Sequence, residues 1–181
     1  MQGLIQEGDG EEYVRLSNDL EHAAPLEPRQ VRVEVMAAGV CGSDLSCIHG
    51  KYYMPTPLVP GHEAAGIVAE VGSAVTYCQV GDHVVLSTFG NCGHCATCED
   101  GEPGNCGFGG LRYTHTEGDQ ALWGFANLGA FAQETIVHEN QAVPIPKEVP
   151  LPSAALIGCG VMTGAGAVFN RARVGVGDSC V

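Results

Sequence analysis

Four cysteines fall within 15 residues as Cys92-x2-Cys95-x2-Cys98-x7-Cys106, and this cluster restricts the fold more than any other feature. The surrounding stretch, 90–110, is rich in glycine and lacks apolar periodicity, so it cannot build a core of its own. It needs a clip. Zinc takes four soft donors at about 2.3 Å in a tetrahedron, and two-residue gaps let neighbouring thiolates converge on one ion. The glycines supply the positive φ values that such knuckles require. Metal binding then supplies the folding energy of the lobe. Two other readings stay open here: disulfides, which two-residue spacing strains, and a rubredoxin-like iron site, which favours two separated Cys-x2-Cys knuckles. A site closed by four thiolates has no open position and is expected to be chemically inert.

The rest of the composition narrows the class. Nine cysteines are an odd number, and residues 1–12 lack the basic and apolar regions of a secretory leader. Metal binding or catalysis is therefore expected before disulfides, in a cytoplasmic setting. Lys+Arg number 8 against 21 Asp+Glu, a net charge of −13, which disfavours nucleic acid and anionic membrane as partners. No apolar run is long enough to span a bilayer. With 45% hydrophobic and 16% charged residues the chain is expected to fold. Its 26 glycines and 10 prolines punctuate many short strands rather than long helices.

Residues 31–35 alternate apolar and polar, the period of a half-buried strand. Residues 13–16, 64–71, 83–87, 129–138 and 141–145 read as further strands. Ser43 or Asp44 is placed to cap a short helical turn running toward His49. Residues 51–60, with three prolines, read as a loop. Small apolar residues predominate after Pro152, a helix is predicted over 164–172, and Ser179-Cys180-Val181 reads as the start of a strand.

Gly61-His62-Glu63 lies between the proline-rich loop and a strand. Cys41 lies 21 positions earlier, and Cys159 sits far downstream between two glycines. Two Cys and one His are the protein ligands of a catalytic zinc that keeps its fourth position open. Each alone is weak: a lone His is usually a satisfied polar residue and a lone Cys a small buried hydrophobe. Spacing alone does not join the three.

The whole pattern carries more. Gly61-His62-Glu63-x2-Gly66-x5-Gly72-x2-Val75 resembles the signature of the zinc-containing alcohol dehydrogenases, in the medium-chain dehydrogenase/reductase superfamily. The Cys92/95/98/106 spacing is similar to that family's structural zinc lobe. Cys41-Gly42-Ser43-Asp44 is similar to its first catalytic ligand segment, and Gly158-Cys159-Gly160 with Thr163-Gly164 to its third. The long stretch between Cys106 and Cys159 resembles the branch that includes glutathione-linked formaldehyde dehydrogenases. The resemblance covers residues 31–181.

It implies a mainly β, GroES-like catalytic domain over 1–150: a partly open β-barrel with short helices and a zinc-clipped lobe. Residues 151–181 are then a connecting helix and the start of an NAD-binding Rossmann domain. It also implies zinc at two places. Cys92, Cys95, Cys98 and Cys106 hold the structural ion, and Cys41, His62 and Cys159 the catalytic one. Asp44 is expected to hydrogen-bond the His62 ring, Glu63 to sit behind the metal, and Ser43 to take the alcohol proton. Thr163 is expected near the nicotinamide ring, with Tyr52 and Thr88 in the substrate pocket. The implied reaction interconverts a small alcohol and an aldehyde or ketone with NAD or NADP, in a full-length homo-oligomer.

Three departures stand out. Ser46 occupies the place where some members end a proton relay with His, and Gly42 the place where an Arg often contacts cofactor phosphate. Gly175-x-Gly177-x-x-Cys180 lacks the third glycine of the dinucleotide fingerprint and precedes the strand it should follow. The 181 residues therefore read as the front half of a dehydrogenase, inactive with NAD alone, with an apolar face exposed over 152–173. Two other classes compete: a non-catalytic zinc-binding module and a GroES-like interaction protein. Cys47, Cys78 and Cys180 read as reduced small hydrophobes. His22, His83, His94, His115 and His138 show no paired spacing.

Overall fold

The computed structural model describes residues 1–51, 53–107 and 110–179. Among the described residues, eleven strands form two sheets, neither of them closed. The first, in the order β2-β1-β5-β9-β8-β3, joins β1 (Gly3–Gln6), β2 (Val14–Ser17), β3 (Leu20–His22), β5 (Leu58–Val59), β8 (Tyr113–Glu117) and β9 (Gln120–Gly124). The second, in the order β10-β4-β6-β7-β11, joins β4 (Gln30–Gly39), β6 (Glu63–Val71), β7 (His83–Leu86), β10 (Glu134–His138) and β11 (Ala142–Ile145). The helices are short: α1 (Gly42–Ile48), α2 (Ala96–Glu99), α3 (Leu151–Ala154) and α4 (Gly160–Ala165). This is the mainly β, partly open architecture that the sequence predicts.

The second sheet is buried on both faces, and strand parity decides which residue goes where. Val31, Val33, Ala64, Val68, Val84 and Leu86 point into one core with Leu128 and Val137. Ala65 and Val85 point the other way, against Ala154 and Ala155. A register shift between Val35 and Ala37 flips the parity of β4, so that Ala37 joins the second cluster. Such a bulge re-aims a strand end. Here it carries the chain past Glu63 and into Cys41. Gly66 sits opposite this bend, where a Cβ would lie 2.1 Å from the Glu34 carbonyl oxygen. No other residue fits there.

Several local expectations need correction. Residues 51–60 are not all loop: Leu58 and Val59 pair with β9 in parallel and with β1 through Gln6. The prolines flank this pairing rather than interrupt it. The cap of α1 is Cys41, not Ser43 or Asp44. Asp44 instead closes a capping box from inside the first turn. Helical structure after Pro150 begins at Leu151 rather than residue 164 and runs to Ala172, with a 53° bend between 151–158 and 160–172. Cys159 occupies the break, with φ −138 and ψ −74. The apolar face expected over 152–173 is present: Leu156, Ile157, Val161 and Phe169 are all exposed. No single helix among the described residues is long and apolar enough to cross a membrane. The strand expected at 179–181 falls on Cys180 and Val181, which lie outside the described residues.

Candidate metal centres

The segment from β4 to α1 delivers Cys41, and the loop before β6 delivers His62. Gly61 turns that loop with φ +93, and a Cβ there would meet Phe131 at 2.5 Å. The break between α3 and α4 delivers Cys159. Cys41 Sγ, a His62 ring nitrogen, a Glu63 carboxylate oxygen and Cys159 Sγ all lie within 4.8 Å of one another. The structure thus brings together three positions that spacing alone could not join.

Asp44 organises this cluster. It is fully buried, and its carboxylate faces three donors. Oδ2 accepts the Cys41 N–H at 2.9 Å, while Oδ1 accepts the Gly61 N–H at 3.2 Å and lies 3.0 Å from His62 Nδ1. With Nδ1–H donating to the carboxylate, the Nε2 lone pair is left for a metal. Burial opposes a charged His62 ring, but the hydrogen bond and charge of Asp44 outweigh it and raise the pKa above its usual value. Phe125 packs edge-on against the same ring at 5.0 Å. Glu63 is buried and accepts the Gly160 N–H at 3.1 Å, tying the start of β6 to the residue after Cys159.

The two sulfurs here differ. The Ser43 backbone N–H, 3.5 Å from Cys41 Sγ, is the main cause that lowers the Cys41 pKa; the Ser43 hydroxyl and His62 add to it. Burial, with the neighbouring Cys41 thiolate, pushes Cys159 up to about 11. One negative charge is thus favoured where two sulfurs stand, and a divalent cation would stabilise both as thiolates.

The Cys92–Cys106 lobe passes a sharper test. The described S···S separations are 3.5 Å for Cys95–Cys98, 3.6 Å for Cys95–Cys106 and 3.7 Å for Cys92–Cys106. A tetrahedron with bonds of about 2.3 Å has edges of about 3.8 Å, whereas a disulfide needs about 2.05 Å. The eight described cysteines are all free thiols, so the disulfide reading fails among them. The Thr97 hydroxyl, 3.0 Å from Cys95 Sγ, is the main cause that brings Cys95 down to about 6, while burial and the adjoining sulfurs push Cys98 up to about 11. His94 turns its ring to the Cys92 carbonyl at 2.7 Å and is not part of the cluster. Asn140 holds the root of the lobe through the Asn91 carbonyl at 2.9 Å.

The remaining expected residues are spread out. Ser43 is exposed on α1, beside the Cys41 sulfur. Thr163 is exposed on α4, its N–H on the Cys159 carbonyl at 2.8 Å. Thr88 follows β7 and lines a hollow with Phe89, Cys106 and Leu111, next to the four-cysteine lobe. Tyr52 lies outside the described residues. Sequence reasoning missed Phe125, Gly61 and Gly160 as partners of the cluster. The glycines flanking His62 and Cys159 were the only available signal, since a backbone N–H leaves no trace in residue type.

Residues 27–147 match the family described as the alcohol dehydrogenase GroES-like domain. The chain is 38% identical over 164 residues to a geraniol dehydrogenase of Castellaniella defragrans, covering 83% of this chain and 43% of that protein. An alcohol dehydrogenase zinc-binding domain protein from Burkholderia ambifaria superposes with a TM-score of 0.87 at 35% identity, covering 98% of this chain and 50% of that one. Benzyl alcohol dehydrogenase from Acinetobacter calcoaceticus gives a TM-score of 0.79 at 36% identity, covering 93% and 47%. The chain spans about half the length of these relatives.

Proposed function

The chain belongs to the alcohol dehydrogenase GroES-like domain family, and we propose that it supplies the metal-bearing catalytic domain of a zinc-dependent oxidoreductase. The reaction is the interconversion of a small alcohol and an aldehyde or ketone with NAD or NADP. One observation carries this reading: the ligand atoms of Cys41, His62 and Cys159, far apart in sequence, lie within 4.8 Å of one another, with a wholly buried Asp44 holding the His62 ring. Those three residues would hold zinc, which when bound supplies Lewis acidity toward an alcohol or carbonyl oxygen. Asp44 fixes the His62 tautomer, and Glu63 braces the Cys159 break from behind. Ser43, exposed beside Cys41, would accept a hydrogen bond from an incoming alcohol and relay its proton, passing its own hydroxyl proton on to solvent as it takes the alcohol's. Cys92, Cys95, Cys98 and Cys106 would hold a second, structural zinc. Thr163 would stand near the nicotinamide ring, and Tyr52 and Thr88 on the substrate side.

Residues 1–150 form the catalytic domain in this reading, and the helical segment from 151 leads into a cofactor-binding domain. No Gly-x-Gly-x-x-Gly occurs in the 181 residues, so they do not turn over NAD or NADP by themselves. Reduced thiols suit the cytoplasm, and the full-length protein would act as a homo-oligomer. The test is a chimera in which this chain replaces the matching half of the Acinetobacter benzyl alcohol dehydrogenase. Oxidation of benzyl alcohol or geraniol that is abolished by Cys41→Ser supports the reading. A folded, zinc-loaded chimera without turnover on any small alcohol overturns it.

A further inference from the structure

The family match starts at residue 27, so the amino-terminal hairpin lies outside it. That hairpin runs from β1 through a 3-10 turn (Glu11–Tyr13) into β2, and it grips the far end of α1. Gln6 is 1% exposed. Its Nε2 donates to the carbonyls of Cys47 at 3.3 Å and Gly8 at 3.1 Å, and its Oε1 accepts from the Cys47 thiol at 3.7 Å. The Gly10 N–H donates to the Ile48 carbonyl at 2.6 Å. Glu11 Oε1 meets the His49 ring at 3.1 Å. Asp9 packs against Gly50 so closely that a Cβ there would lie 2.7 Å from its carboxyl.

These contacts satisfy carbonyls that the end of a helix leaves open. They matter more because α1 has only seven residues, too few to hold its own geometry. At its other end the same helix carries Cys41 as cap and Asp44 in its first turn, the pair that faces His62. Cys47 also packs with Leu58 and with Phe125, which touches the His62 ring. With its tail held by these contacts, the short helix keeps its geometry and so sets the position of the sulfur at its head.

We propose that Gln6 and Glu11 are positioning residues for the Cys41–His62–Cys159 cluster, acting through α1 from its opposite end. This rests on the reading of that cluster as a metal site. The test is Co2+ titration of the 181-residue chain, followed by optical absorption. Thiolate-to-cobalt bands report each site, and the four-sulfur lobe serves as internal reference. Gln6→Met keeps the shape of the side chain but loses its polar contacts. It is expected to weaken the Cys41–His62–Cys159 site about tenfold, the low end for partners that orient metal ligands. Its bands should shift while the lobe is unchanged. Glu11→Ala, at an exposed position, is expected to weaken the same site about twofold, as the loss of one exposed side-chain contact allows.

Ile5→Val destabilises β1 without touching these contacts and is expected to leave both sites as they are. Equal affinities and spectra in all variants overturn the proposal, as does an Ile5→Val effect equal to that of Gln6→Met. Should Gln6→Met fail to fold, Glu11→Ala decides alone. A wild-type chain that binds Co2+ only at the lobe overturns the metal reading as well; two-site binding with unaffected variants overturns this proposal only.

Discussion

Replacing Asp44 with Asn should damage both stability and metal affinity, because the carboxylate is buried and bonded on both oxygens. Asn preserves shape and volume. If its oxygen takes the place of Oδ1, the bonds from His62 and Gly61 survive, but to a neutral acceptor. Its NH2 then faces the Cys41 N–H, donor against donor. A hydrogen bond to a charged partner is worth about 1.5–3 kcal/mol against roughly 1 for a neutral one, and a stranded buried donor costs about 1–3. Relief from burying a charge offsets part of this, so the expected loss is about 3 kcal/mol. The His62 ring also loses the carboxylate that orients it, which lowers zinc affinity at the Cys41 cluster by about 10- to 100-fold. Urea unfolding of the zinc-loaded chain measures the first effect, and chelator competition the second, with the four-cysteine lobe as reference. A loss under about 0.5 kcal/mol, typical of surface changes, together with unaltered zinc release, would refute the role given to Asp44.

Cys95→Ser removes one sulfur from the lobe, so one zinc per chain should be lost and limited proteolysis should cut within 92–106, while the Cys41 cluster keeps its metal. Gly158→Ala places a Cβ 2.0 Å from the Leu86 carbonyl oxygen, backbone against side chain, so it should cost on the order of 1–3 kcal/mol and displace Cys159. Urea midpoint and zinc content read both effects. Glu117 is held at about 2, first by the Arg15 guanidinium and then by the Ser17 hydroxyl. Its folded value lies below its ordinary value of 4.5, so its contribution is full above that pH and is lost as pH falls through about 2. Glu117→Gln should therefore lower the urea midpoint at pH 7 but not near pH 2.

The start of β4 was legible because one residue in two faces the core, and β7 because a short apolar run suits a strand buried on both faces. So was the lobe, since four thiols at that spacing leave few alternatives. The hairpin of β8 and β9 was not read, although Gly118-Asp119 between two β-rich runs is a turn signal. The local residue pattern placed a helix only over 164–172, whereas helical structure starts at Leu151; Pro152 sits in its first turn, where a missing N–H costs nothing. At the metal cluster the side-chain donors could be named from the resemblance. The backbone donors from Gly61 and Gly160 and the edge of Phe125 could not, because they depend on where the loops pass. His22 and His115 show no sequence spacing, yet β3 pairs with β8 so that they lie opposite each other, with ring centroids 5.9 Å apart.

Zinc content of the purified chain, wild type against Cys41→Ser and Cys95→Ser, tests the two-centre reading most directly. Two zinc ions per chain are predicted, one for each cluster, falling to one in either variant and to none when both substitutions are combined. A single zinc that Cys41→Ser leaves in place and Cys95→Ser removes would contradict it. The convergence of Cys41, His62 and Cys159 would then be a packing arrangement rather than a metal site.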